Sequence, residues 1–291
     1  MYWILAIATV CAAGKAIICK RLGGDDKGAR SMFFWNAGIY LVASVVAFLY
    51  LYPDFGALLR VSPFTLILSA IFAAFLLFTQ ITEIKAMSLG SASMTILIYS
   101  AGFMLPIGYG SLFAGETITL LRWVGIAVMA AAMVFIIRPR KDGSVSPAWV
   151  VMSLLSLVGS GMVAVTQKHH QNTEYAGELA SFVALGLLFA AVLSAIVAWI
   201  KRPKGEKPPR LVGKDVGFVL ASGLCIGVLN LLNLFLAGKI PAAVQFPVYN
   251  IGCMILTALF GALVLKEKHT KSQYAGFVLG CASIVLIGLG G

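Results

Sequence analysis

The sequence predicts an all-α, polytopic membrane protein: ten transmembrane helices arranged as two inverted five-helix repeats. Three observations predict it. Apolar residues make up 60% of the 291 residues and charged ones only 11%, under half of the roughly 25% charge of a soluble chain. The apolar residues come in runs of about 17–25, the length of helix that crosses a hydrocarbon core. They lack the period-two alternation of a membrane barrel. The chain also repeats itself. Tyr99, Gly102 and Met104 recur 150 residues later as Tyr249, Gly252 and Met254; Gly110, Glu116, Thr119 and Gly125 recur 151 residues later as Gly261, Glu267, Thr270 and Gly276. Five spans per half is an odd number, so the second copy enters the membrane upside down. A duplicated intramembrane chain of this kind predicts a small transporter.

The elements follow in order. Span one, 2–19, opens directly on Tyr2, Trp3, Ile4 and Leu5. It has neither a basic leader region nor a small-residue cleavage site, and is expected to be retained. Span two, 32–52, begins near Trp35 and Asn36; a tryptophan there reads as an interfacial belt residue or as a stacking face for cargo. Span three, 63–84, ends in Gln80 and Glu83, and Lys85, Ser88, Gly90 and Ser91 break it from span four, 92–113. Span four holds Tyr99, Ser100 and a mid-span Pro106, which frees a backbone carbonyl and bends the helix. Span five, 121–137, carries Gly125, Ala127, Ala130, Ala131 and Ala132.

A linker from Arg138 to Pro147 joins the halves, 1–140 and 141–291. The second half reads 148–166, 180–200, 216–237, 242–265 and 273–289. Its fourth span holds Gln245 just before Pro247, then Tyr249 and Asn250; its fifth holds Gly276, Gly280, Ala282 and Ser283. Small residues spaced by four let helices pack closely, so spans five and ten read as the seam between the halves, or as the face of a homodimer; the protein is expected to be a monomer or such a dimer. Glu116 and Glu267 open these two helices, where an acidic group favours the dipole.

The net charge of +11 reports topology and no nucleic-acid partner. Of the 22 Lys and Arg residues, 17 lie in loops after odd-numbered spans, while Arg60, Arg122, Lys168 and Lys239 lie on the opposite side. Positive loops stay inside, so the odd loops are expected in the cytoplasm and both termini outside the cytoplasmic (inner) membrane. The long basic loop 201–215 reads as a solvated connector or as a patch for anionic lipid. Cys11, Cys19, Cys225, Cys253 and Cys281 are scattered through apolar runs without metal spacing and read as small core residues. His169 and His170 are adjacent in an outer loop and His269 lies in an inner one, with no ligand cluster around them. No metal and no cofactor is therefore expected.

Polar groups inside spans are costly in hydrocarbon and should face protein or water. Gln80 and Glu83 share a helix face, and an offset of 150 places Asn230 and Asn233 in the corresponding positions. This duplicated pair reads either as a cavity lining that binds cargo or as an interhelical hydrogen-bond network. Glu83 is the acidic residue placed within a span, and Lys15 sits at a similar depth in span one. Lys15 has three readings: snorkelling to the interface, an ion pair with Glu83, or direct contact with cargo. Tyr99 and Tyr249, with Ser100 and Asn250 beside them, suit a symmetric cavity wall or a symmetric packing contact. The expected substrate-binding set is Gln80, Glu83, Tyr99, Asn230, Asn233, Tyr249, Asn250, Trp35 and Gln245, with Glu83 and Lys15 as the coupling or ion pair.

No phosphate-binding Gly-x-x-x-x-Gly-Lys-Ser/Thr run is present, which disfavours ATP coupling. An intramembrane enzyme would need paired aspartates or a histidine within the spans; Asp25 and Asp26 lie in a loop, so no enzyme is expected. A channel prefers rings of like residues about an axis, which an inverted repeat does not make.

Each half ends in a span, a two-residue polar turn and a small-residue span: Leu112, Phe113, Ala114, Gly115, Glu116, then Gly125; and Leu263, Val264, Leu265, Lys266, Glu267, then Gly276. Span one has Gly14 followed six residues later by Lys20, with Gly161 and Gln167 as counterparts. In the order of these features the chain resembles the drug/metabolite transporter superfamily, in its ten-span, EamA-like form. It departs from that pattern at Ala13, where a Trp is common, and at Gly102 and Gly252, where a Pro often opens the span. The resemblance implies secondary active transport of a small polar or amphipathic metabolite, amino-acid-like or drug-like and often exported, through a central cavity. The alternative is an importer of a cationic or quaternary-amine nutrient such as choline, bound by aromatic faces and Glu83.

Overall fold

The computed structural model describes residues 2–24, 29–51, 56, 60–113, 119–137, 146–200, 213–237, 242–263, 266 and 270–290. Regular structure among them is helical throughout: α1 (Tyr2–Gly24), α2 (Ala29–Leu51), α3 (Pro63–Leu89), α4 (Ala92–Ser100), a 3-10 turn at Ala101–Phe103, α5 (Met104–Phe113), α6 (Leu120–Ile137), α7 (Pro147–Gln171), a second 3-10 turn at Ala176–Glu178, α8 (Leu179–Ile200), α9 (Gly213–Ala237), α10 (Ala242–Leu263) and α11 (Lys271–Leu289). Seven stretches among the described residues are long and apolar enough to cross a membrane: Phe33–Tyr50, Pro63–Leu89, Ala92–Phe113, Pro147–Gln171, Ala176–Ile200, Asp215–Leu232 and Lys271–Leu289. Shorter apolar helices cover Ala6–Ile17, Leu120–Ile136 and Gly252–Gly261. The chain is an all-helical, polytopic membrane protein. The linker residues 138–145, the loop 201–212, and Asp25, Asp26, Glu116, Lys239, Glu267 and His269 lie outside the described residues.

Local chemistry fixes the helix ends. Ser62 caps α3, its hydroxyl accepting from the Thr65 N–H, with Pro63 in the first turn, where a missing N–H does no harm. The break after α3 falls at Gly90, and Ser91 caps α4 by accepting from the Met94 N–H. Thr270 and Gln273 form a reciprocal capping box on α11. Lys266, just beyond α10, holds a left-handed φ of 53°; its counterpart in the first half of the sequence is Gly115, the residue type that suits such a position.

Span four is interrupted. Pro106 cannot donate to the Gly102 carbonyl, and its ring crowds that turn, so the helix tightens into the 3-10 turn at Ala101–Phe103. The same place is a close crossing of α7: a Cβ on Gly102 would lie 2.6 Å from the Leu157 carbonyl oxygen, and one on Gly161 would lie 2.6 Å from the Gly102 carbonyl oxygen. Glycine on both sides permits the approach.

The helices pair in a regular scheme. α6 lies along α11, and α2 along α8. α3 packs on α7 and α8, while α9 packs on α1 and α2; α7 meets α4 and α5, while α1 meets α10. Exchanging each helix for the one about 150 residues away maps these pairings onto each other. The register gives the directions. Gly38 faces Val219, Gly223 faces Val42 and Gly227 faces Val46, so α2 and α9 run parallel. Gly125 meets Ile287 while Gly276 meets Ile136, so α6 and α11 run antiparallel. Ser283 Oγ donates to the Gly125 carbonyl at 2.7 Å and Ser272 Oγ to the Phe135 carbonyl at 2.8 Å, stitching that seam.

Two large apolar clusters lie in the interior among the described residues. One joins Ala12, Ala13 and Ala16 of α1 with Ile84 and Met87 of α3, Leu97 of α4, Met129 of α6, Met254 of α10 and Ile284 of α11. The other joins Trp35, Ile39 and Tyr40 of α2 with Phe72 of α3, Phe182 and Leu187 of α8 and Ile226 of α9. Large apolar side chains elsewhere point outward, Leu120 at 81% and Trp199 at 74% exposure among them, as lipid-facing residues do.

Candidate functional site

Lys15 on α1 and Glu83 on α3 form an ion pair: Lys15 Nζ donates to Glu83 Oε2 at 2.5 Å, across 68 residues of sequence. Lys15, open to three readings from the sequence, thus stands against the carboxylate. The pair is placed by small residues. Ala12, Ala13 and Ala16 flank Lys15 on α1 and are all buried, which lets α1 lie close to α3, α9 and α10. On α3, Glu83 follows the buried Thr79, Gln80 and Thr82; the two threonine hydroxyls bond back to carbonyls of their own helix.

The two members are unequal. The Glu83 side chain is 1% exposed and the Lys15 side chain 14%. Glu83 Oε1 has no hydrogen-bond partner among the described residues. The Lys15 ammonium lies 5.4 Å from the centre of the Tyr99 ring on α4, within cation–π range. A buried carboxylate thus faces a cation, and the lysine is the more exposed member of the pair.

The other expected residues are placed as follows. Gln80 is buried on α3, one turn from Glu83. Asn230 Nδ2 donates to the Ile226 carbonyl of its own helix at 2.8 Å. Tyr99 joins the ion pair through its ring, and its backbone carbonyl accepts from Ser160 Oγ of α7 at 3.0 Å. Trp35 and Asn36 are buried, Trp35 at 4% exposure within the cluster of α2, α3, α8 and α9. That cluster is distinct from the one around Lys15 and Glu83, and α2, which begins at Ala29, holds both residues more than a turn inside the helix. The side chains of Asn233, Gln245, Tyr249 and Asn250 lie outside the described residues, although their backbone belongs to α9 and α10.

A second polar cluster has no counterpart among the sequence expectations. The sequence places His169 and His170 in a loop, but α7 runs on to Gln171 and takes both. Adjacent on a helix, they diverge. His169 Nδ1 is 2.7 Å from the Tyr109 hydroxyl of α5, and His170 Nε2 is 3.0 Å from Thr65 Oγ1 of α3. His170 is fully buried and stacks on Phe182 of α8, with ring centres 4.6 Å apart. Glu178 Oε2 accepts from the Ser62 N–H and hydroxyl at 3.1 and 2.8 Å, tying the 3-10 turn to the start of α3. The hydrogen bonds join residues 60 to 116 apart in the chain, so no local spacing announces them. Among the described residues no group of three or more His, Cys, Asp or Glu is placed to hold a metal ion.

Comparison with known proteins fits this architecture. A solved crystal structure superposes with a TM-score of 0.66 over 96% of this chain and 95% of that chain, at 15% identity, so the two share a fold. A Haemophilus influenzae protein, described only as uncharacterized, is 22% identical over 96% of this chain and 95% of its own length. A Sinorhizobium sp protein, described as an uncharacterized transporter in the cobO 3' region, is 27% identical over 49% of this chain and 97% of its own length. Residues 147–289 match the EamA-like transporter family. The second half of the chain, residues 147–289, is thus similar to the EamA-like transporter family, a family of membrane transporters.

Proposed function

We propose that the protein is a secondary active transporter that moves a small polar or amphipathic metabolite across the cytoplasmic membrane by alternating access. Its two halves, 1–140 and 141–291, act as inverted repeats around a shared polar site. The observation that carries this reading is the buried Lys15–Glu83 pair. Charged groups inside a membrane bundle are expensive and mark pathways, and this pair stands where α1 and α3 of the first half meet, with α1 flanked by α9 and α10 of the second.

Three further observations support the inversion. Duplication without inversion would run α6 and α11 in the same direction; they run antiparallel. It would also set α2 against the direction of α9, yet these two are parallel. A transporter relative matched over 97% of its length by about half of this chain suits a half that is a unit in its own right. Two related halves of opposite orientation supply two mirror-related states, which is the geometric need of alternating access. The choline-type alternative asks Glu83 to receive an external cation; Lys15 already occupies that carboxylate, so the metabolite reading is preferred.

The test is unbiased flux. Proteoliposomes holding the purified chain are loaded with a whole-cell metabolite extract and diluted, and the retained solutes are read by mass spectrometry. A defined subset of metabolites is expected to leave faster than from empty vesicles, and Glu83→Gln is expected to change that flux. Retention identical to empty vesicles for every solute, or step-like single-channel conductance, rules the transporter reading out.

A further inference from the structure

The inequality within the ion pair points to the class of cargo. An anionic solute and a cationic one would meet different faces of this pair. The Glu83 side chain is 1% exposed and the Lys15 side chain 14%. A solute reaching the pair meets the Lys15 side chain before the Glu83 side chain. Lys15 has three N–H donors, and the Tyr99 ring 5.4 Å away steadies the cation independently of Glu83.

Resting on the transport reading above, we infer that the cargo carries a carboxylate or similar anionic group that binds Lys15 in place of Glu83, and that Glu83 takes up one proton as it does so. Charge balance dictates the second half. The pair as it stands is neutral. An incoming carboxylate brings the sum to one cation and two anions in a site shielded from water, and a buried uncompensated charge is strongly disfavoured. Glu83 has no second donor to turn to, since its Oε1 is without a partner among the described residues.

The neighbouring titratable groups offer no other acceptor that restores neutrality. α1 brings Cys11, α9 brings Cys225, α4 brings Tyr99, α10 brings Cys253, and α2 brings Tyr40, whose hydroxyl donates to the Leu76 carbonyl at 3.0 Å. Lys85 on α3 is exposed, and the charged or titratable groups of α7, Lys168, His169 and His170, stand at its far end.

The step balances without further reactants. The Lys15–Glu83 contact breaks, a Lys15–cargo contact forms, and a proton from the water that admitted the cargo is bound by the Glu83 carboxylate. On release to the other side, cargo and proton leave and the pair closes again. One proton accompanies each anionic group, so the cycle moves no net charge for a monoanion. Direction then follows the sum of the cargo and proton gradients, and an acid accumulated in the cell leaves together with its proton.

The experiment uses the purified full chain in detergent and in proteoliposomes. The probes are monocarboxylic acids without an amino group, together with the amides and the amines of the same carbon skeletons. Thermal stabilisation is expected from members of the acid series and not from the matched amides or amines. In weakly buffered solution with a pH dye, about one proton should be taken up per carboxylate bound. Lys15→Gln is expected to weaken acid binding by about tenfold to a hundredfold, the range for a lost hydrogen bond to a charged group. Glu83→Gln, already neutral, should bind the acids but take up no proton. Should Lys15→Gln fail to fold, Lys15→Gln/Glu83→Gln restores the charge balance and must likewise lose the preference for acids. Equal stabilisation by amides or amines, acid binding that survives loss of Lys15, or binding without proton uptake overturns the inference. Those outcomes leave the transport reading intact so long as some solute crosses in the flux assay; a chain that moves nothing loses both.

Discussion

At the residue scale the Lys15–Glu83 pair is a liability that the fold holds in check. Removing one partner strands a charge in the bundle, whereas removing both leaves an apolar contact. Lys15→Met and Glu83→Leu are each expected to destabilise the protein by about 3–5 kcal/mol. The double variant should recover most of that loss, measured as unfolding midpoints in detergent. Additive losses would show that the two side chains do not interact in the folded protein. Half of this pairing is legible in the sequence. Lys15 and Glu83 lie at comparable distances from the ends of spans that run the same way, and that arithmetic places them at one depth. It does not place them on facing sides, because helix rotation is fixed by what each helix packs on. Trp35 shows the same gap. Its position near the start of a span suggests an interface; its burial among Ile39, Tyr40, Phe72 and Phe182 follows from the pairing of α2 with α8 and α9, which nothing in the local sequence records.

At the element scale the seam of α6 and α11 brings two backbones together. The small residues of spans five and ten predict a close approach, and the approach is close: a Cβ on Gly125 would lie 3.0 Å from the Ile287 nitrogen, and one on Gly276 would lie 2.9 Å from the Ala132 carbonyl oxygen. Backbone atoms cannot move aside as a flexible side chain can. Gly125→Leu and Gly276→Leu are therefore expected to force the helices apart and lower the thermal midpoint by several degrees, the effect of about 1–3 kcal/mol of overpacking. On Gly108 of α5 an added Cβ would have nothing within 4 Å, so Gly108→Ala should leave the midpoint unchanged or slightly raised. Unaltered midpoints in both leucine variants would show that this seam does not hold the bundle together. The interruption of span four is legible in part. Pro106 announces a bend, and the 3-10 turn lies one turn before it, where proline chemistry puts it. That Gly102 and Gly161 cross at that same point depends on α7, over 50 residues further along the chain.

For the whole molecule, apolar runs and charged punctuation predict the order of the helical segments, because each must satisfy its own backbone in lipid. The ends are less legible. α3 extends to Leu89 and α7 to Gln171, beyond the polar residues that mark the ends of those spans in the sequence. At 27 residues α3 is about 40 Å long, longer than a hydrocarbon core of roughly 30 Å, so its last turns stand in the headgroup layer, where polar side chains are no reason for a helix to end. The same reason makes the two histidines of α7 read as loop residues. Orientation rests on a separate argument. With 17 of 22 basic residues on one side, the positive-inside rule puts the end of α3 near Ser88 in the cytoplasm and the connection after α7 near Glu174 outside. Both positions are exposed. In a background lacking the native cysteines, Glu174→Cys is expected to react with a membrane-impermeant maleimide on intact cells. Ser88→Cys should react only after permeabilisation. The reverse pattern would turn the molecule over and place the basic loops outside. Labelling of both from outside would contradict the antiparallel pairing of α3 with α7, in which Thr65 meets His170 at one end while Gly90 meets Trp149 at the other.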